Sequence, residues 1–179
     1  SASQEEHFHR AAMPDLDPSL APGVVKQWGQ WVKSAPIEID GKATRWRILG
    51  IYDLLAHYED GTVGIIDCKV SDSDRDNAQF YAPQLEAYAY ALENPDKGKP
   101  FPVSTMGLLV WKLAGITETL DGKHGFGVTQ HYLHVTRDQA QFKSLISDLI
   151  SVIEGDLPAA GPDCDTCNYL IKRLALESN

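Results

Sequence analysis

Ile48-Leu-Gly-Ile-Tyr-Asp53, Gly64-Ile-Ile-Asp67-Cys-Lys69 and Gln84-Leu-Glu-Ala-Tyr88 are the three segments that decide how this 179-residue chain folds. Asp67 and Lys69 sit two residues apart on an apolar, strand-like run. Side chains alternate along a strand, so these two share one face and Cys68 takes the other. Asp53 ends a second apolar run just upstream. The spacing predicts strands over 46–58 and 62–70. Glu59-Asp60-Gly61 lies between them, and Asp-Gly is a strong hairpin signal. Such a hairpin carries Asp53 to the Asp67/Lys69 face. Val63 to Ile66 is almost continuously apolar, as in a strand buried on both faces. A charged pair there is costly unless it is paired or metal-bound. Two converging carboxylates and a lysine suit a hard divalent cation and a steered water, the equipment of metal-assisted phosphodiester hydrolysis. The plainer alternative is a structural ion pair.

Outside these segments the order of elements is α/β. Residues 1–22 are polar and dotted with Pro14, Pro18 and Pro22, which predicts an irregular arm. Val24, Trp28, Trp31 and Val32 fall at helical spacing and predict a helix over 23–34 with a Trp-rich core face. Further strands are expected at 36–40, 103–113 and 127–136. Residues 78–93 read as a helix on which Tyr81, Gln84, Leu85 and Tyr88 share a face. Pro83 either kinks that helix or marks its first turn. Residues 137–155 read as an amphipathic helix. The acidic loop 71–77 invites a calcium reading, but the twelfth position from Asp72 is Pro83, where an EF-hand needs Glu. It reads as a solvated loop beside the candidate site. His131 and His134 fall on opposite strand faces, which argues against a shared metal.

The order Gly50-x-x-Asp53, Asp67-x-Lys69, Gln84-x-x-x-Tyr88 resembles the PD-(D/E)XK nuclease superfamily. It is most similar to the RecB-type exonuclease branch, which includes CRISPR-associated exonucleases. The resemblance covers residues 38–92 best. It implies a restriction-endonuclease-like core, a central mixed β-sheet flanked by helices. It divides the chain into the arm at 1–22, a nuclease-like domain at 23–157 and a tail at 158–179. Carried over, Asp53 and Asp67 bind Mg²⁺ or Mn²⁺, and the Cys68 carbonyl completes the shell. Lys69 positions or activates the attacking water and stabilises developing charge. Gln84 and Tyr88 orient the lysine or contact phosphate. The upstream ligand falls to Glu38, or to His7 or His9.

The implied activity is a metal-dependent deoxyribonuclease, in exonuclease mode, acting on single strands or ends. It would work alone or within a recombination, repair or phage complex. The alternatives are a catalytically idle module that keeps the fold as a scaffold, and a domain cut from a longer helicase–nuclease chain. Some members of the branch hold an iron–sulfur cluster with C-terminal cysteines and one N-terminal cysteine. Here only Cys164 and Cys167 match, so an intact cluster is not expected. A degenerate cluster motif, a zinc half-site and plain surface thiols remain open for that pair.

Composition bounds these readings. Hydrophobic content of 43% and charged content of 23% are ordinary for a soluble globular chain. No apolar run approaches a membrane span, and three cysteines, an odd number, favour a reducing compartment, so a cytoplasmic location is expected. A net charge of -9 opposes tight non-specific binding to nucleic acid. Lys42, Arg45 and Arg47 still flank the Asp53 strand.

Overall fold

The computed structural model describes residues 7–71, 78–118, 122, 124–156, 159 and 161–177. The chain divides into two compact units, Ser1–Phe142 and Lys143–Asn179. In the first, a short helix α1 (Met13–Leu16) precedes strand β1 (Gly23–Lys33). A small hairpin of β2 (Glu38–Ile39) and β3 (Lys42–Ala43) follows. Next come β4 (Leu49–Tyr58), β5 (Val63–Ser71), a 3₁₀ turn (Ala78–Tyr81), helix α2 (Ala82–Glu93), β6 (Val103–Glu118) and β7 (His124–His134). Helix α3 (Gln139–Glu154) runs across the boundary between the units. The central sheet has the order β1-β4-β5-β6-β7. Only β5 and β6 run parallel, and their connection carries α2. This is the expected α/β class, a mixed sheet flanked by helices.

The sheet is buried on both sides. Val32, Tyr52, Leu55, Val63, Ile65 and Met106 pack with Leu85, Ala89 and Leu92 of α2. On the other side Val25, Leu54, Ala56, Ile66 and Leu109 pack against Phe8, Met13, Leu16 and Leu20. The N-terminal arm is therefore a covering layer of the sheet, with little regular structure of its own. Val63 to Asp67 are all buried, as the continuous apolar run predicts.

The β4–β5 hairpin forms where Asp-Gly predicts it. Gly61 adopts a φ of +83°, and the Asp60 carboxylate accepts from Thr62 N at 2.9 Å and from Thr62 Oγ1 at 2.7 Å. The expected helix over 23–34 is instead strand β1. Its register slips between Val25 and Gln27, and Gly29 takes a φ of +57°. These two irregularities break the alternation. Val25 and Trp28 reach one core layer and Val32 the other, at intervals of three and four. A bulged strand thus imitates helical periodicity. The strand expected from residue 46 begins at Leu49, and the segment at 36–40 contributes only the two residues of β2. Pro83 lies in the first turn of α2, so it starts the helix and does not kink it. The acidic loop at 72–77 lies outside the described residues.

In the second unit, helix α4 (Asp165–Glu177) occupies much of the tail, a helix that the Cys164/Cys167 motif does not announce. Asp165 in its first turn complements the helix dipole.

One ion-pair cluster fastens α2 to its surroundings. Glu86 is 3% exposed and accepts from Arg137 Nη2 at 3.2 Å and from Asp138 N at 2.7 Å. Arg137 also reaches Glu93 at 2.7 Å and the Val103 carbonyl, while Val103 N donates to Glu93 at 3.2 Å. Removing one member leaves a buried charge alone, which typically costs about 3–5 kcal/mol. Arg137→Ala is expected to destabilise the fold by that amount in urea melts. Glu86→Gln should recover part of the loss when combined with it.

Candidate active site

The β4–β5 ladder pairs His57 with Val63 through to Leu54 with Ile66. The next positions outward are Asp53 and Asp67, and there the recorded pairing stops. Gly29, with its positive φ, lies between the β1 residues that pair with Leu54 and Tyr52 on either side of Asp53. The Asp53 carboxylate accepts a hydrogen bond from Cys68 N at 2.7 Å, replacing a strand partner for that amide.

Asp67 is 3% exposed and faces the α2 side of the sheet. Its Oδ1 accepts from Gln84 Nε2 at 3.1 Å. Its Oδ2 lies 2.7 Å from Lys69 Nζ in an ion pair, yet has no aligned hydrogen-bond donor. Burial pushes the Asp67 carboxyl above the ordinary carboxylate range, and the charge of Asp53 adds to this; Lys69 and Gln84 pull the other way. Burial alone would lower the Lys69 ammonium, but Asp67, Asp53 and Tyr81 outweigh it and the net direction is up. Cys68 packs on the opposite layer, as strand parity predicts.

Helix α2 supplies the other wall. Gln84 Nε2 also approaches Tyr88 Oη at 3.0 Å. The Tyr88 ring lies directly over Gly50: a Cβ at position 50 would meet it at 2.6 Å. The glycine of Gly50-x-x-Asp53 is thus the space in which Tyr88 sits. Tyr81, on the same helical stripe, places its ring 4.8 Å from Lys69 Nζ. Sequence reading placed Tyr81 on that stripe but assigned it no role; its i, i+3 relation to Gln84 was the available signal.

The structure thus brings Asp53, Asp67, Lys69, Gln84 and Tyr88 together. It does not bring Glu38, which is exposed on the β2–β3 hairpin outside the central sheet. His9 stacks against Trp28 at 4.1 Å, and His7 meets the edge of Phe8. Among the described residues, no group of three or more His, Cys, Asp or Glu side chains gathers for a metal. The side-chain donors at hand are the two aspartates. They fit a hard cation that keeps several waters, which needs only one or two carboxylates. Asp67 Oδ2, paired only with the Lys69 ammonium, is a buried oxygen suited to that purpose. His131 and His134 stay on β7, opposite Val110 and Gly107.

A family model described as the PD-(D/E)XK nuclease superfamily matches residues 3–171. The chain belongs to the PD-(D/E)XK nuclease superfamily. By that description the family is one of nucleases. No curated protein matches the chain. Among solved structures, that of SSO0001 is similar at 18% identity and a TM-score of 0.41, over 78% of this chain and 57% of that one. The chain therefore spans a little over half the length of that protein. No described helix is long and apolar enough to cross a membrane.

In the second unit no disulfide joins the cysteines. Cys164 Sγ accepts from Cys167 N at 3.4 Å at the start of α4. Hydrogen bonds from Cys167 hold the Cys164 thiol below its usual range, whereas Cys167 is pushed up.

Two outcomes follow from this geometry. Gly50→Ala should displace Tyr88 and destabilise the fold by about 1–3 kcal/mol, as overpacking does. Adding Tyr88→Ala should make the second change cost less than it does in the parent, which a double-mutant melting cycle measures. Because a lowered pKa leaves more thiolate, Cys164 should be alkylated by iodoacetamide at neutral pH before Cys167, as peptide mass mapping reads.

Proposed function

We propose that this chain is a metal-dependent deoxyribonuclease of the RecB-like kind, cutting DNA phosphodiester bonds as an exonuclease on single strands or ends. One observation carries the reading: Asp67 is buried against Lys69 and Gln84 at the point where β4 and β5 part, with Asp53 on the facing strand. An ion pair kept only for stability gains little in such a place.

In this reading Asp53 and Asp67, with the Cys68 carbonyl, hold Mg²⁺ or Mn²⁺. The ion, when bound, polarises the phosphoryl oxygen and lowers the pKa of its water. Lys69, its pKa raised, is protonated at neutral pH. In this reading it positions the attacking water and stabilises the charge developing on the phosphate. Water oxygen bonds to phosphorus as its proton passes to solvent, and the ester P–O bond breaks with the departing oxygen taking up a proton from solvent. Gln84 keeps the Asp67 carboxylate in place, and Tyr88 and Tyr81 keep Gln84 and Lys69 in theirs. Glu38 enters this scheme only if its hairpin approaches the aspartates. The rival reading, an idle module of the same fold, draws on the net charge of -9 and the two-carboxylate donor set.

Lys69→Ala should lower cleavage of single-stranded DNA by about a hundredfold or more, the scale of losing one charge-stabilising group. It should leave Mn²⁺ affinity little changed. Mn²⁺ should raise the melting temperature of the parent and of Lys69→Ala but not of Asp67→Asn, because an ion that binds only the folded state stabilises it. Unchanged cleavage by well-folded Lys69→Ala would reject this mechanism. A parent that cuts no DNA form with either metal would favour the idle module.

A further inference from the structure

A second concavity opens along the β1 edge of the sheet. It measures about 480 Å³, within the roughly 300–1,000 Å³ of ligand sites. Its walls are β1, Tyr52 of β4, the C-terminal end of α2 and the loop at 95–101. Val32 and Tyr52 of the core layer under α2 line it together with Trp31 and Lys33, which alternate with Val32 along the edge strand β1. Tyr52 is the chain neighbour of Asp53, and Trp31 pairs with Ile51 in the sheet. The cleft therefore reaches β4 one residue from Asp53.

Its chemistry departs from that of the chain. Lys33, Lys97 and Lys99 line it against one carboxylate, Asp96, on a protein of net charge -9. Asp96 is already engaged by Lys33 at 3.2 Å and by Arg47. Lys97 and Lys99 are exposed and have no carboxylate partner among the described residues. Trp31 also lines the cleft and is 67% exposed, a large ring surface left in water. The amides of Gln27 and Gln30 converge on the Tyr52 hydroxyl, which donates to Gln27 at 2.7 Å. A flat ring, unpaired cations and amides together match a base with its phosphates. Duplex bases are stacked on each other and present no face to such a ring, whereas single-stranded bases do.

We propose that this cleft binds a single-stranded polynucleotide, one base stacked on Trp31 and its backbone phosphates on Lys97 and Lys99, and so holds the strand beside the aspartates. The proposal rests on the nuclease reading for its placement, but binding is measured apart from cleavage. The full chain is titrated into a fluorescein-labelled oligothymidylate in EDTA at low salt, read by anisotropy, with a blunt duplex of equal length in parallel. Trp31→Ala should weaken single-strand binding about tenfold, within the range of one lost base–aromatic stack, and leave duplex binding unchanged. Lys97→Glu with Lys99→Glu should also weaken it and reduce the salt slope by about 1.4, two phosphates at roughly 0.7 each.

Parental affinity in both variants, or no single-strand binding by the parent, would overturn the cleft. If Lys69-dependent cleavage persists in that case, the nuclease reading stands without it. If binding falls in both variants while no cleavage is found, the cleft stands and the activity does not.

Discussion

The separation of β4 from β5 beyond Leu54 and Ile66 is the constraint on which the site depends. Up to that pair, the two strands satisfy each other's backbone. Beyond it, the Cys68 amide needs another acceptor, and the Asp53 carboxylate supplies it. The side chain that ends the ladder is thus one of the two candidate ligands. β5 continues, held by its parallel pairing with β6 from Val63 to Ser71, so Asp67 and Lys69 rest on a fixed strand. A functional group on such an element is placed more sharply than one on a loop.

Burial on both faces of the sheet gives that placement its chemical weight. A carboxylate as enclosed as Asp67 resists ionisation, and the neighbouring charge of Asp53 adds to the resistance. Lys69 and Gln84 oppose it from one strand and one helix. The helix can approach because position 50 has no side chain and the Tyr88 ring fills the space. Short motifs far apart in sequence are therefore parts of one packing problem. Gly50 makes room for Tyr88, Tyr88 meets Gln84, and Gln84 meets Asp67.

Much of this was legible in the sequence because local rules govern it. Two-residue alternation gave the common face of Asp67 and Lys69, Asp-Gly gave the hairpin, and helical spacing gave the stripe from Tyr81 to Tyr88. The failures come from irregularities that no local rule announces. In β1, the slip near Lys26 and the left-handed Gly29 turned a strand's alternation into three-and-four spacing. The arm looked irregular, and much of it is, yet Phe8, Met13, Leu16 and Leu20 are core residues because one sheet face needs a cover. Glu38 looked apt by type and order, but its own short hairpin keeps it exposed and outside the sheet. Helix α4 begins on the polar run Asp165-Thr-Cys-Asn168, which carries no apolar helical stripe to mark its start.

The Glu86–Arg137–Glu93 cluster has a further bearing on motion. It ties α2 at its middle and its end to Val103 and to the segment at 137–138. The helix carrying Gln84 and Tyr88 can then open only when these anchors release. Its amide protons belong with the slowly exchanging part of the unit. The 3₁₀ turn at its entrance is tied in as well, by buried Ala78 and by Tyr81 against the same core layer, while Phe80, 83% exposed, stands out into solvent. A helix fixed at its entrance, middle and end keeps the partner of the Asp67 carboxylate still while substrate arrives and product leaves.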